Sequence, residues 1–153
     1  MVKFIQADET YPLRSQVLRD GKSFDHCVFP SDEIEGAFHL GFFLDGNLIS
    51  IASFLPSNHF ENAGKGFQLR GMATDPDFKG KGYGSVLINF AVDCLKGMHA
   101  DYLWCNARST AAAFYKKIGF TTESPEFDIA GIGYHYEMKL NLKKIKLNND
   151  ENN

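Results

Sequence analysis

Three glycines and two lysines fall within seven residues at Lys79-Gly80-Lys81-Gly82-Tyr83-Gly84-Ser85. These residue types, placed where a strand hands the chain to a helix, suit an anion. The first N–H groups of a helix have no partner inside it, and the aligned peptide dipoles add partial positive charge. Glycines accept positive φ angles and let the backbone come close to a phosphate. Lys79 and Lys81 add full charges. The plain alternative is a turn whose glycines serve geometry and whose lysines serve solubility. Spacing excludes two common phosphate loops. A P-loop needs a glycine, four residues, then Gly-Lys-Ser/Thr, and Gly21-Lys22-Ser23 has Gln16 at the first glycine position. The dinucleotide pattern G-x-G-x-x-G also fails, because Ser85 follows Gly80 and Gly82, and Leu87 follows Gly82 and Gly84.

The flanks predict the elements that hold this loop. Gln68 to Thr74 alternates as a strand, with Leu69 and Ala73 on one face and Arg70, Met72 and Thr74 on the other. Asp75-Pro76-Asp77 ends it. Val86/Leu87, Phe90/Ala91 and Cys94/Leu95 recur at the four-residue spacing of a helix with one inward stripe, closed by Lys96-Gly97.

A second chemical element follows. Leu103-Trp104-Cys105-Asn106-Ala107-Arg108 reads as a strand. Ala112-Ala113-Phe114-Tyr115-Lys116-Lys117-Ile118-Gly119-Phe120 reads as a helix capped by Ser109 or Thr110 and stopped by Gly119. Ala111, Tyr115 and Ile118 share one helix face. A phenol there is either a proton donor or a core tyrosine whose hydroxyl bonds to backbone.

Taken together, the two elements resemble those of the GNAT acetyltransferase superfamily. Its acetyl-CoA loop is Q/R-x-x-G-x-G/A, opening a long helix after the fourth strand. Lys79 stands here where Gln or Arg is usual, keeping the charge without the planar fork. Its second motif is a strand ending in Asn, a helix with a Phe-Tyr pair, and a closing Gly-Phe. The resemblance covers Val2 to Leu142. It implies an α/β (α+β) fold with a mixed, mostly antiparallel central sheet flanked by helices, and direct transfer from acetyl-CoA to an amine in a ternary complex. The cosubstrate would lie against Met72, Ala73, Thr74 and the loop Lys79, Gly80, Lys81, Gly82, Tyr83, Gly84 and Ser85, the rings of Tyr83 and Phe78 being read as packing. Asn106 would bond the pantetheine arm. Tyr115 would sit near the thioester sulfur as the catalytic acid. No metal is implied. The acceptor would be a small-molecule or peptide amine. Two rivals keep the fold: an enzyme using another acyl-CoA, and a CoA sensor without transfer.

The chemistry asks for more than these residues. The amine must lose a proton before it attacks. Backbone N–H groups of Met72 to Thr74 can stabilise the developing oxyanion. Candidates for the base are His39, Asp32, Glu33, Glu35 and His135; His135 resembles a histidine found before the last strand in some family members. Arg70 and Arg108 either hold an acceptor carboxylate or are ion-paired locally, and local pairing is the preferred reading.

The rest of the chain supplies the frame. Val2 to Ala7 reads as a strand. A helix follows, capped by Asp8 or Thr10, with Leu13, Val17 and Leu18 inward, Arg14 and Arg19 on its polar face, and Asp20-Gly21 at its end. Gly21 to Gly36 is a long loop with a helical turn after Ser31. Ala37 to Leu44 and Leu48 to Leu55 form a hairpin about Asp45-Gly46. Pro56 to Lys65 is a polar loop; both loops are expected to shape the acceptor pocket. Thr121 to Glu123, Glu126 to Ile129 and Tyr134 to Leu142 are strand-like. One domain over 1–142 is expected, with a polar, frayed and dispensable tail from Lys143 to Asn153.

Composition narrows the classes. A formal charge of −3 argues against a nucleic-acid partner. No apolar run approaches the ~20 residues of a membrane span, and Met1-Val2-Lys3-Phe4 starts a strand rather than a signal peptide. Cys27, Cys94 and Cys105 are an odd count without a C-x-x-C pair; buried reduced thiols and a cytoplasmic location are expected. Oligomeric state is open, a homodimer being one arrangement.

Overall fold

The computed structural model describes residues 1–143, so the expectation for the tail at 144–153 lies outside the described residues. One sheet carries the chain. Its strands are β1 (Val2–Ile5), β2 (Phe38–Leu44), β3 (Asn47–Pro56), β4 (Gly66–Thr74), β5 (Tyr102–Arg108), β6 (Thr121–Thr122), β7 (Phe127–Ile129) and β8 (Gly133–Asn141). The spatial order is β1-β2-β3-β4-β5-β8-β6, with β7 also on β8. Every pair is antiparallel except β4 with β5. That exception follows from the chain between them, since parallel neighbours need a crossover and α2 (Tyr83–Gly97) is that crossover. The β2–β3 hairpin turns on Asp45 (φ 49) and Gly46 (φ 80), two successive positive angles that match the twist of the strands. No helix among the described residues is long and apolar enough to cross a membrane.

Helix α2 buries Leu87, Ile88, Ala91 and Leu95 against Leu40, Phe54, Leu69 and Leu103. The stripe is centred one residue later than its apolar pairs indicate. Val86 is 44% and Phe90 36% exposed, and Cys94 is only half-buried. Val86, Leu87 and Ile88 are all apolar, so periodicity allows several centres and the sheet surface selects one. Phe90 instead meets Phe4 edge-on at the rim, at 5.9 Å. The left-handed residue after α2 is His99 (φ 59), and Gly97 is the last helical residue.

The first helix departs further. A 3-10 turn (Ala7–Thr10) leads into α1 (Tyr11–Leu13), which widens into a π-helical turn (Arg14–Leu18). Thr10 caps nothing; its hydroxyl donates to the Ala7 carbonyl at 2.5 Å. Leu13, Arg14 and Ser15 all point inward, and Val17 and Leu18 pack beside them. Arg14, expected on the polar face, is fully buried. Its guanidinium donates to both oxygens of Asp32 (2.7 and 2.8 Å), to the Cys27 carbonyl (2.8 Å) and to Ser53 Oγ (2.9 Å). It also lies 3.8 Å from the centre of the Phe29 ring. A charged side chain tolerates such burial only when paired and hydrogen-bonded. Asp32 comes from a 3-10 turn (Pro30–Glu33) in the long loop, the helical turn expected after Ser31.

Strand β4 carries the other departure. Ile51 pairs with Ala73 and Ser53 with Arg70, so β4 spends one more residue than β3 over this stretch. The extra residue is a bulge at Gly71, whose φ is +62. A bulge swaps the faces of everything beyond it. Leu69 therefore joins the core under α2, while Ala73 joins a second cluster with Ile5, Leu13 and Ile51 on the opposite face. Simple alternation puts the two on one face and cannot see the bulge.

Breaking the Arg14–Asp32 pair from one side should be costly. Arg14→Met leaves a buried carboxylate unpaired and should remove about 3–5 kcal/mol of stability, read from urea unfolding. Burial disfavours the Asp32 charge, but the Arg14 hydrogen bonds, the Phe29 N–H and the Arg14 charge outweigh it and hold the carboxyl below its usual range. A lowered folded-state pKa gives stability that is present above the ordinary value of ~3.9 and lost as pH falls through the folded value. Stability should therefore drop below about pH 4, and less steeply in Arg14→Met/Asp32→Leu. An unchanged unfolding midpoint in Arg14→Met would show that the pair is dispensable.

Candidate active site

The site begins where two neighbouring strands part. Strands β4 and β5 pair only at Gly66–Tyr102, Phe67–Leu103 and Gln68–Trp104. Beyond that point β4 stays with β3 as far as Thr74, and β5 stays with β8 as far as Arg108 opposite His135. From Leu69 to Thr74 the β5-side edge of β4 has no strand partner. The gap opens into a cleft of about 1090 Å³.

Gly71, three residues beyond the last β4–β5 pair, bulges against β3. A side chain there would be strained by the positive φ, and its Cβ would stand 3.0 Å from Phe29 Cε2 and 3.2 Å from Arg14 Nε. The bulge thus rests on the buried guanidinium.

After β4, Asp75 accepts from the Asp77 N–H at 3.0 Å and closes a 3-10 turn (Pro76–Phe78). The loop then enters α2 through Gly82, whose φ of 87 is left-handed and which gives no side-chain cap. The first bond of the helix is Val86 N–H to Gly82 carbonyl, 3.1 Å. Among the described residues, the N–H groups from Gly80 through Ser85 have no partner. A Cβ at Gly80 or Gly82 would meet nothing within 4 Å, so the space before these amides is open. This is a cradle of free donors at a helix N-terminus, which fits a phosphate. Gly84 has another task. A Cβ there would meet Met72 Cε at 2.7 Å and Phe114 Cζ at 3.3 Å, so glycine seats the first turn of α2 against β4 and against α3 (Ala112–Ile118).

The expected residues mostly converge. Met72, Ala73, Thr74, Lys79, Gly80, Gly82, Tyr83, Gly84, Ser85, Asn106 and Tyr115 line the cleft. Lys81 does not; its Nζ sits 5.5 Å from the Phe78 ring centre, where cation–π attraction and solvent hold it. The Tyr83 ring stacks obliquely on Phe42 at 4.7 Å, so its packing role coexists with its place at the rim. Thr74 Oγ1 is engaged with Ser50 Oγ at 2.8 Å. Asn106 is exposed, and its amide has no partner among the described residues.

Tyr115 is buried between the Phe114 and Phe120 rings, edge to face at 5.1 and 5.3 Å. Its hydroxyl bonds to no backbone group among the described residues, and it opens on the cleft. Burial, then the neighbouring Cys105, pushes the phenol far above its ordinary range. Burial also pushes the Cys105 thiol up to about 12. Both hold their protons at any working pH.

Geometry separates the base candidates. His39 is locked in the Arg14 network, with Nδ1 2.7 Å from Ser53 Oγ and Nε2 3.1 Å from the Asp32 carbonyl. Asp32 is spent on Arg14. Glu33 and Glu35 are exposed and line no part of the cleft. His135 remains. It is buried, lines the cleft, and has Nδ1 2.7 Å from the Gly133 carbonyl. A carbonyl only accepts, so Nδ1 is the donor there and Nε2 is left out of this bond. Nε2 has no partner among the described residues.

The arginines correct the preferred reading. Neither Arg70 nor Arg108 has a carboxylate within ion-pair distance among the described residues. Arg70 donates to Ser31 Oγ at 3.1 Å, and Arg108 is exposed on the cleft wall. The carboxylate near Arg70 is Asp32, already taken by Arg14. Sequence reasoning missed Phe29 and Arg19, which also line the cleft. A large aromatic beside Pro30 in an otherwise polar loop was the available signal for Phe29.

Comparison with known proteins agrees with this geometry. Residues 5–120 match the profile of the Acetyltransferase (GNAT) family. The chain is 41% identical over 143 residues to the uncharacterized N-acetyltransferase YitI of Bacillus subtilis (strain 168), covering 93% of this chain and 96% of that one. Its fold is similar to that of the ribosomal-protein-S18-alanine N-acetyltransferase from Escherichia coli, with a TM-score of 0.72, 18% identity and 97% of each chain covered. It is also similar to an aminoglycoside 6'-N-acetyltransferase complexed with coenzyme A, with a TM-score of 0.72, 9% identity and coverage of 95% and 99%. The parted strands, the uncapped glycine loop and the profile match thus converge: this chain belongs to the GNAT acetyltransferase family.

Proposed function

We propose that this protein moves an acetyl group from acetyl-CoA to the nitrogen of an amine acceptor by direct attack in a ternary complex. One observation carries the reading. The parting of β4 and β5 brings free loop amides, the unpaired Tyr115 hydroxyl and the Nε2 of His135 onto one cleft. Amides of Gly80 to Ser85, with Lys79, would hold the pyrophosphate. The open edge of β4 at Met72 to Thr74 and the Asn106 amide would align the pantetheine arm. When bound, acetyl-CoA supplies an acyl group activated as a thioester.

The side chains then have distinct tasks. His135 Nε2 takes a proton from the acceptor ammonium, with its tautomer set by the Gly133 carbonyl. Backbone N–H groups on the open edge of β4 stabilise charge on the carbonyl oxygen. Tyr115 delivers its proton to the departing sulfur as the C–S bond breaks, and the phenolate recovers a proton that the nitrogen sheds as the amide forms. In water the transfer to sulfur runs uphill by ~2 kcal/mol, from a pKa of about 10 to one of about 8.5. Burial changes both partners. Burial raises the thiol of Cys105, beside Tyr115, and exclusion of water would act in the same direction on a departing thiolate.

A single domain over 1–142 is supported by one sheet running through it. A cytoplasmic location is supported by the free thiols of Cys27, Cys94 and Cys105.

Gly82→Val should strain the left-handed N-cap and fill the cradle. Affinity for CoA should fall at least tenfold, about 1.4 kcal/mol, by calorimetry. Unchanged affinity in a folded variant would remove the loop from the site.

Tyr115→Phe keeps the ring and the core volume. kcat should fall by roughly 10²-fold with CoA affinity nearly unchanged, because the lost interaction matters in the transition state. Full rate with lowered Tm would end the proton-donor assignment.

His135→Gln should lower kcat/KM by roughly 10²-fold near neutral pH. The deficit should shrink as pH rises and the amine loses its proton in bulk water. A deficit independent of pH would mean that His135 positions groups rather than removing a proton.

A further inference from the structure

We infer that the acceptor carries a carboxylate besides its amine, and that Arg70, aided by Arg19, receives it. The inference rests on the acetyl-transfer reading of the same cleft and names its substrate class.

Three guanidinium groups surround the Phe29 ring. Their carbons lie 3.8 Å (Arg14), 4.8 Å (Arg70) and 5.4 Å (Arg19) from its centre. Arg14 is neutralised by Asp32 behind the cleft wall. Arg70 and Arg19 face the cleft, and neither has a carboxylate partner among the described residues. Arg70 is half-buried and donates only to Ser31 Oγ; Arg19 donates to the Leu18 carbonyl. Partly buried cations this close together repel. Burial first, then the charges of Arg14 and Arg19, lowers the Arg70 pKa against the opposing pull of Asp32. An anion placed between Arg70 and Arg19 removes that penalty.

The lining of the whole cleft points the same way. Among the described residues its charged groups are Arg19, Arg70, Lys79, Arg108 and Lys117, and no Asp or Glu lines it, although the chain as a whole is net −3. Lys79, at the loop, has the phosphates of CoA to meet. Arg70 and Arg19 stand elsewhere, beside the Phe29 ring, and Val17 and Leu18, which precede Arg19 in the chain, also line the cleft. A polycationic acceptor finds nothing there to bind its further charges. The planar arginine fork matches a carboxylate bidentately, which makes that group the assignment.

The test compares amino acids with their own amides. Glycine, β-alanine, γ-aminobutyrate, leucine and phenylalanine, each paired with its amide, are offered with acetyl-CoA, and thiol release is followed. The best acid should exceed its amide at least tenfold in kcat/KM. Arg70→Gln should lower the acid tenfold or more and leave the amide and CoA affinity unchanged, while Arg70→Lys recovers part of the loss. Arg19→Gln, on a separate element, should lower the acid severalfold and keeps the test usable if Arg70→Gln does not fold. Amides used as well as acids, or an equal loss for both in Arg70→Gln, would overturn the inference while leaving acetyl transfer intact. Preference for 2-aminoethylphosphonate over every acid would overturn the carboxylate assignment. Failure of CoA to bind would instead strike the acetyl-transfer reading. Calorimetry with the acids alone then decides the arginine site: tenfold tighter binding of acid than amide, lost in Arg70→Gln, upholds it, and equal binding rejects it.

Discussion

A buried guanidinium ties the first helix and the long loop to the β3–β4 side of the cleft. Arg14 comes from the π-helical turn after α1 and reaches Asp32 and the Cys27 carbonyl in the long loop, and Ser53 on β3. Through Ser53 and the Asp32 carbonyl it fixes His39 on β2. Its face meets Phe29, and Phe29 and Arg14 together press on Gly71. Such a pair gives little net stability compared with a well-packed apolar replacement. Its consequence here is geometric. The two charges are paired, although Arg14 Nε has no hydrogen-bond partner among the described residues; the pairing holds the loop and Phe29 against β4 at the Gly71 bulge.

Just before that bulge the site opens. Strand β4 leaves β5 after Gln68, and an unpaired strand edge is a row of unused hydrogen-bonding groups. In most sheets an edge is a liability; here it faces a cleft, where a ligand can use it. The first turn of α2 closes one end, seated by Gly84 against Met72 and Phe114. The far end lies on the opposite face of the sheet, beside Phe29. The cleft thus runs from the glycine loop at one end to the Phe29 ring and its arginines at the other.

The electrostatic character of the cleft is uneven by construction. Among the described residues, amide donors and cations line it and acids do not. A carboxylate base would have been drawn into an ion pair with Arg70, as Asp32 is with Arg14.

Local chemistry was readable in the order of residues. The glycines at Gly80, Gly82 and Gly84, the break at Asp75-Pro76, the Asp45-Gly46 turn and the helix around Tyr115 all depend on neighbours within a few positions, and their φ preferences and capping needs act at that range. Mixed topology followed as well, because a helical crossover between two strands forces them parallel. What required the folded chain was everything set by distant partners. Arg14 reads as surface until Asp32, eighteen positions on, neutralises it. Alternation in β4 reads as one face until Gly71 is pressed by Phe29. The centre of the α2 stripe was decided by the sheet beneath it, and the choice of His135 over His39 by which imidazole kept a free nitrogen. Charge pairing and packing act through space, and spacing along the chain does not encode which pairs will meet.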